Sequence, residues 1–193
     1  MVLMLYHEPV KNNYKIQEAV DVVHHEGIKT NLAKFGMASL VSEIVLKSYG
    51  AGEHRRTFLL AAETFEAVDR LDEGDLWYGG IQFLWRFFHI AGFSPALDSC
   101  IRCGYGIAEE ERIYYSNREG GFTCADCSDP GTAPLSPGSV RYLRHTESLS
   151  MTQAVRVRLD DRDLSRLKHV LTGAAETLLE APLKSLSVIE ERA

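Results

Sequence analysis

Long apolar runs are missing from this chain of 193 residues. Nothing approaches the roughly 20 residues that a membrane-spanning helix needs. The opening Met1-Val2-Leu3-Met4-Leu5 is short and carries no basic residue, so it does not read as a signal peptide. Catalytic signatures are missing as well: there is no G-x-S-x-G elbow, no P-loop and no G-x-G-x-x-G fingerprint. An excess of positive charge is also lacking. Lys and Arg total 21 against 27 Asp and Glu, for a formal net charge of −6. Phosphate contacts need cations, so this balance cuts against nucleic-acid binding over the whole surface but allows a local basic face. Repeats and low-complexity segments are absent. What remains is ordinary soluble composition, 45% hydrophobic and 25% charged, enough for one good domain or two small ones.

Cysteine is sparse and confined. All four lie between Asp98 and Ser128, as Cys100-x-x-Cys103 and Cys124-x-x-Cys127. Two such knuckles about twenty residues apart form a standard tetrahedral zinc arrangement. Gly104 and Gly106 allow backbone N–H groups to turn toward the sulfurs. Arg112–Ser116 and Gly121–Thr123 are predicted as strands, joined by a turn at 117–121. Two disulfides would need an oxidising compartment, which nothing else in the sequence suggests. A redox pair would need one C-x-x-C at a strand-to-helix junction. A catalytic zinc keeps an open position, whereas four cysteines close the site, and a deaminase's H-x-E partner motif is missing. Structural Zn²⁺ on Cys100, Cys103, Cys124 and Cys127 is therefore the expected cofactor. With its thiols committed to metal, the chain is expected in the cytoplasm.

The rest is mainly helical. Val2–Tyr6 and Tyr14–Val23, with turn residues between them, predict a β-hairpin. Because two strands alone are marginal in water, it belongs to a larger sheet or leans on helices. Asn31 caps a helix to Ser48, with Met37, Leu40, Val41, Ile44 and Val45 at helical spacing and Gly50 and Gly52 as stops. Residues 53–71 make a second helix. The third, 75–91, is apolar nearly all round and hence central, and Gly79-Gly80 within it indicates close packing. Gly92 ends it. Ser136 and Pro137 start a helix to His145. Residues 151–159 fit helix or strand equally. Asp160 or Asp161 caps a long helix to Glu180, and the tail 183–189 has apolar residues that can dock back.

Candidate sites outside the cysteines are few. His24, His25 and His89 read as solvated or hydrogen-bonded, and Glu109–Glu111 as a solvated loop. Arg141, Arg144, Arg156, Arg158, Arg162 and Arg166 cluster late in the chain. They would either meet nucleic-acid phosphate or pair with Asp160, Asp161 and Asp163. The apolar helix faces are core, though such a domain can keep a groove for a partner's peptide tail.

The segment Gly92-Phe93-Ser94-Pro95-Ala96-Leu97-Asp98-Ser99-Cys100-Ile101-Arg102-Cys103-Gly104 resembles the start of the zinc ribbon in the RecO family. Tyr115-Ser116, then Glu119-Gly120-Gly121-Phe122-Thr123-Cys124-Ala125-Asp126-Cys127, resembles its end. Leu135-Ser136-Pro137, Leu183-Lys184-Ser185-Leu186, and the early Leu5-Tyr6 with Tyr14-Lys15-Ile16-Gln17-Glu18-Ala19 are also similar. The resemblance implies a DNA repair and recombination mediator with no bond-making chemistry of its own. It would bind single- and double-stranded DNA, anneal strands, work with RecR, engage the C-terminal tail of the single-stranded DNA-binding protein and help load RecA. It also implies a mainly α fold. Residues 1–29 would be the hairpin remnant of an OB-fold, and residues 30–193 a helical bundle with the four-cysteine zinc ribbon inserted at 98–128. An OB-fold has five strands, and only the last two or so are here. DNA contact by this chain alone is therefore expected to be weak. The alternative is a protein-interaction module without DNA binding.

Overall fold

Helix start signals are honoured where the sequence carries them. The computed structural model of the chain describes residues 2–20, 23–48 and 54–190. The elements in order are β1 (Val2–Glu8), β2 (Asn13–Val20), α1 (Glu26–Thr30), α2 (Leu32–Lys47), α3 (His54–Arg70), α4 (Leu76–Ile90), β3 (Tyr114–Ser116), β4 (Gly121–Thr123), α5 (Pro137–Glu147), α6 (Met151–Ala154), α7 (Asp161–Leu179) and α8 (Ser185–Glu190). Asn31 accepts the N–H of Lys34 at the start of α2. Ser136 does the same for Ser139 in α5, and Asp160 for Asp163 in α7. Each side chain satisfies one of the donors a helix leaves without a partner. Gly92 takes φ +79° just past α4, the left-handed conformation that a glycine allows cheaply. The expected stops at Gly50 and Gly52, and the start of the second helix at residue 53, lie outside the described residues.

Of residues 151–159, Met151–Ala154 form a single helical turn, α6, and 155–159 are turn and irregular chain. Ser150 and Gln153 form a reciprocal capping box there, which accounts for helix over strand. The first ribbon strand is shorter than expected. Ile113 leaves the β3–β4 ladder and bridges instead to Leu135, tying the ribbon to the segment before α5. The short helix α1 was not anticipated. Its Ile28 N–H is accepted by Asp69 on α3 at 2.9 Å.

α4 occupies the centre. Leu76, Tyr78, Ile81, Phe83, Leu84, Trp85, Phe87 and Phe88 are all buried, and α2, α3 and α7 pack around it. A methyl group at Gly79 would sit 3.2 Å from Val68, and one at Gly80 2.9 Å from the Met37 sulfur. The two glycines thus let α3 and α2 approach α4 where a side chain would hold them apart. α4 is apolar nearly all round, as expected, with polar exceptions at Gln82 and Arg86. Gln82 is completely buried, donating to the Tyr142 and Thr146 hydroxyls at 3.0 and 2.9 Å. Arg86 donates to the carbonyls of Thr146 and Leu149. These bonds to the end of α5 and the turn after it offset the cost of burying Gln82 and half-burying Arg86.

The tail docks as expected. Leu183 and Ile189 are buried, and Glu43 on α2 accepts from the Lys184 and Ser185 N–H groups and the Ser185 hydroxyl. A carboxylate at a helix start meets free donors and the positive end of the helix dipole. No helix among the described residues is long and apolar enough to cross a membrane.

Candidate metal centre

Each cysteine pair turns back on itself. The Gly104 N–H is accepted by Cys100 O at 2.9 Å, and the Cys127 N–H by Cys124 O at 3.2 Å. Gly104 takes φ +73°, as a knuckle requires; Gly106, expected to share this role, has no positive φ. The β3–β4 hairpin (Tyr114↔Thr123, Tyr115↔Phe122, Ser116↔Gly121) lies between the knuckles, and the Ile101 N–H donates to Phe122 O across them. Beneath the hairpin, Ile113, Tyr115, Phe122 and Leu135 join the core of the helical body. A second seam comes from Arg144 on α5, which pairs with Glu109 of the ribbon loop at 3.0 Å.

The result is convergence of the four sulfurs, all within 4.8 Å of one another. Cys103 and Cys124 Sγ are 3.9 Å apart. That is about twice a disulfide bond and close to the edge of ~3.8 Å of a tetrahedron with Zn–S bonds of ~2.3 Å. The donor set therefore fits a metal ion. Electrostatics points the same way. Burial opposes ionisation of Cys100, but the N–H groups of Cys124, Cys103 and Arg102 outweigh it and bring the thiol down to about 6. The Cys103 and Cys124 sulfurs push Cys127 up to about 12. Four thiolates this close cannot all ionise unaided, and a soft divalent cation removes the conflict. With four protein sulfurs around it, such an ion would have no open position for substrate.

The six arginines do not form one cluster. Arg158 chelates Asp75, one bond at 2.7 Å, and lies over the Tyr78 ring at 4.9 Å. Arg144 serves the ribbon seam. Neither pairs with Asp160, Asp161 or Asp163. Asp160 is committed to capping α7, and Asp163 accepts from the Ser136 hydroxyl. Arg141, Arg156, Arg162 and Arg166 form no ion pair among the described residues. Arg162 and Arg166 stand one turn apart on α7. Of the histidines, His89 bonds Ser94 Oγ at 2.9 Å and meets the Trp85 ring edge-on, in keeping with a hydrogen-bonded role. A groove of about 520 Å³ opens between α2 and α3, lined by Val45, Leu46, Phe58, Ala62 and Phe65. Two residues that the sequence reading passed over carry much of the local order: Glu43 at the tail and Arg102 at the ribbon.

The family model described as "Recombination protein O C terminal" matches residues 29–187, the helical body and the whole ribbon. The chain belongs to the RecO family. Among curated relatives, the DNA repair protein RecO of Rubrobacter xylanophilus is 29% identical over 166 residues, covering 82% of this chain and 65% of the relative. RecO of Thermoanaerobacter sp. is 24% identical over 182 residues, covering 93% of this chain and 72% of the relative. RecO of Desulfatibacillum aliphaticivorans is 28% identical, covering 87% and 67%. This RecO-family chain thus spans about two thirds of the length of the curated relatives it matches.

Proposed function

We propose that this chain is a non-catalytic DNA repair and recombination mediator whose ribbon is closed by a structural Zn²⁺ on Cys100, Cys103, Cys124 and Cys127. The family match over the helical body and ribbon carries this reading, together with four converging sulfurs that leave no open position. The protein works by holding DNA and partners together in the cytoplasm. RecR and the tail of the single-stranded DNA-binding protein are the partners, and strand annealing and RecA loading are the outcomes. Arg141, Arg156, Arg162 and Arg166 supply the phosphate contacts, since they are the late arginines without acidic partners among the described residues. Arg144 and Arg158 contribute less, because leaving Glu109 or Asp75 costs them an ion pair. The groove between α2 and α3 accepts an apolar side chain of a partner's tail. Residues 1–29 correspond to the last hairpin of an OB-fold.

Fluorescence anisotropy with single-stranded DNA across a salt series tests the DNA contact. The expected affinity is weak and falls steeply with salt, and removing Arg162 and Arg166 together lowers the slope by about 1.4, at about 0.7 per lost contact. An unchanged slope would refute the assignment of those arginines. The net charge of −6 favours the second reading, a protein-interaction module without DNA binding. That reading predicts capture of RecR or the tail peptide with no DNA affinity at any salt.

A further inference from the structure

Arg102 stands between the two cysteines of the first knuckle, and its guanidinium leaves the knuckle entirely. One nitrogen donates to the carbonyl of Cys127, the last cysteine of the second knuckle. The other donates to Glu119 at 2.8 Å, to both carboxylate oxygens of Asp129 at 2.8 Å, and more loosely to the Ser116 hydroxyl at 3.3 Å. Glu119 lies in the β3–β4 turn and also accepts from Ser116 at the end of β3. Asp129 follows the second knuckle directly. A single side chain therefore joins both knuckles, the turn of the hairpin and the segment leaving the site.

Charge compensation does not explain this arrangement. The guanidinium is already matched by two carboxylates, so it has no net positive charge to offer a tetrathiolate centre. Its contribution is geometric. The planar fork meets a carbonyl and two carboxylates at fixed angles, which a lysine ammonium cannot reproduce. The neighbouring Arg118 provides a natural contrast, since it also approaches Glu119, at 3.8 Å, but its side chain is 88% exposed and reaches no cysteine.

We infer that Arg102 is a positioning residue for the metal centre: it latches the second knuckle onto the first and sets how slowly the ion leaves. This rests on the Zn²⁺ reading above. Without the latch, Cys124 and Cys127 can swing away past the end of β4, and a sulfur that has let go is free to be replaced by a competing ligand. Partners that orient metal ligands in this way typically matter by 10–100-fold in affinity.

The test is zinc release from the full chain to a chromogenic chelator, for the wild type and for Arg102→Lys, Asp129→Asn and Arg118→Ala. Cobalt-substituted samples are measured alongside, because the visible absorption of a Co²⁺ tetrathiolate reports the angles around the metal. The expected result is one zinc per wild-type chain and release at least 10-fold faster in Arg102→Lys. Asp129→Asn should lie between, and Arg118→Ala should release at the wild-type rate. The cobalt spectrum should shift in Arg102→Lys while helical circular dichroism is unchanged. The retained charge at residue 102 protects against gross misfolding. A metal-loaded Arg102→Lys that releases zinc at the wild-type rate overturns the latch alone. A wild-type chain that binds no metal overturns the Zn²⁺ centre, and the latch with it.

Discussion

The described residues contain two β-hairpins of opposite character. In the ribbon, Tyr115 and Phe122 face each other across the ladder and are 7% and 1% exposed. In the N-terminal hairpin, Leu5 and Ile16 face each other at 51% and 66%, and the adjacent Met4 and Tyr6 are more than half exposed too. Since neighbours along a strand point to opposite sides, both faces of β1–β2 are open. A bulge between Met4 and Leu5 and a left-handed Asn12 shape it locally. The comparison shows that pairing two strands does not make a stable unit. The three-residue strands of the ribbon have four converging sulfurs at one end, Arg102 bonded to Glu119 in the turn, and Ile113 bridged to Leu135 at the back. The longer strands at the N-terminus have cross-strand pairing and little else among the described residues.

The strongest way to break the ribbon is to remove a ligand. Cys100→Ser is expected to release the metal and abolish hydrogen-exchange protection of Tyr114–Thr123, while α4 and α7 remain helical. Structural zinc supplies on the order of 10 kcal/mol in small metal-folded units, far more than these short strands could replace. Hydrogen exchange followed by mass spectrometry reads both regions at once, and protection retained without metal would contradict the account. Next in size, Gly80→Val should cost about 1–3 kcal/mol by forcing α2 off α4 at Met37, visible in the denaturation midpoint.

Glu43 gives a smaller and pH-dependent effect. Its carboxyl is held at about 2. Burial alone would raise it, but the bonds from Lys47, Ser185 and Lys184 prevail. The folded value lies below the usual 4.5, so the unfolded state binds the proton more readily in this range. The stabilisation is therefore complete above about 4.5 and is lost as pH falls through about 2. Glu43→Gln should lower the urea midpoint at pH 7 and differ progressively less from wild type as the solution approaches pH 2. Smallest of all, Ile16→Lys on the open face of β2 should change the midpoint by no more than about 0.5 kcal/mol, the range of ordinary surface substitutions. A large loss there would mean that the hairpin is covered after all.

Features written in adjacent residues were legible. The two C-x-x-C pairs announced the four-sulfur cluster, and Asn31, Ser136 and Asp160 announced three helix starts. Gly79-Gly80 announced a tight crossing, although not that Val68 and Met37 would be the neighbours. The arginines were less legible. Charge alone could not tell Arg158, bound to Asp75, from Arg162, which pairs with nothing among the described residues.

The difference lies in sequence distance. Knuckles, caps and periodic apolar stripes act within a few residues, so the order of the amino acids determines them directly. Glu43 meets Ser185 across 142 positions, and Arg102 meets Asp129 across 27. Such partners are selected only when packed helices and a closed ribbon bring them within reach. The sequence by itself determined a mainly helical chain with a four-sulfur centre. The tertiary structure alone decided which charges hold that centre and the tail in place, because an ion pair depends on separation in space and many separations are compatible with one pattern of residues.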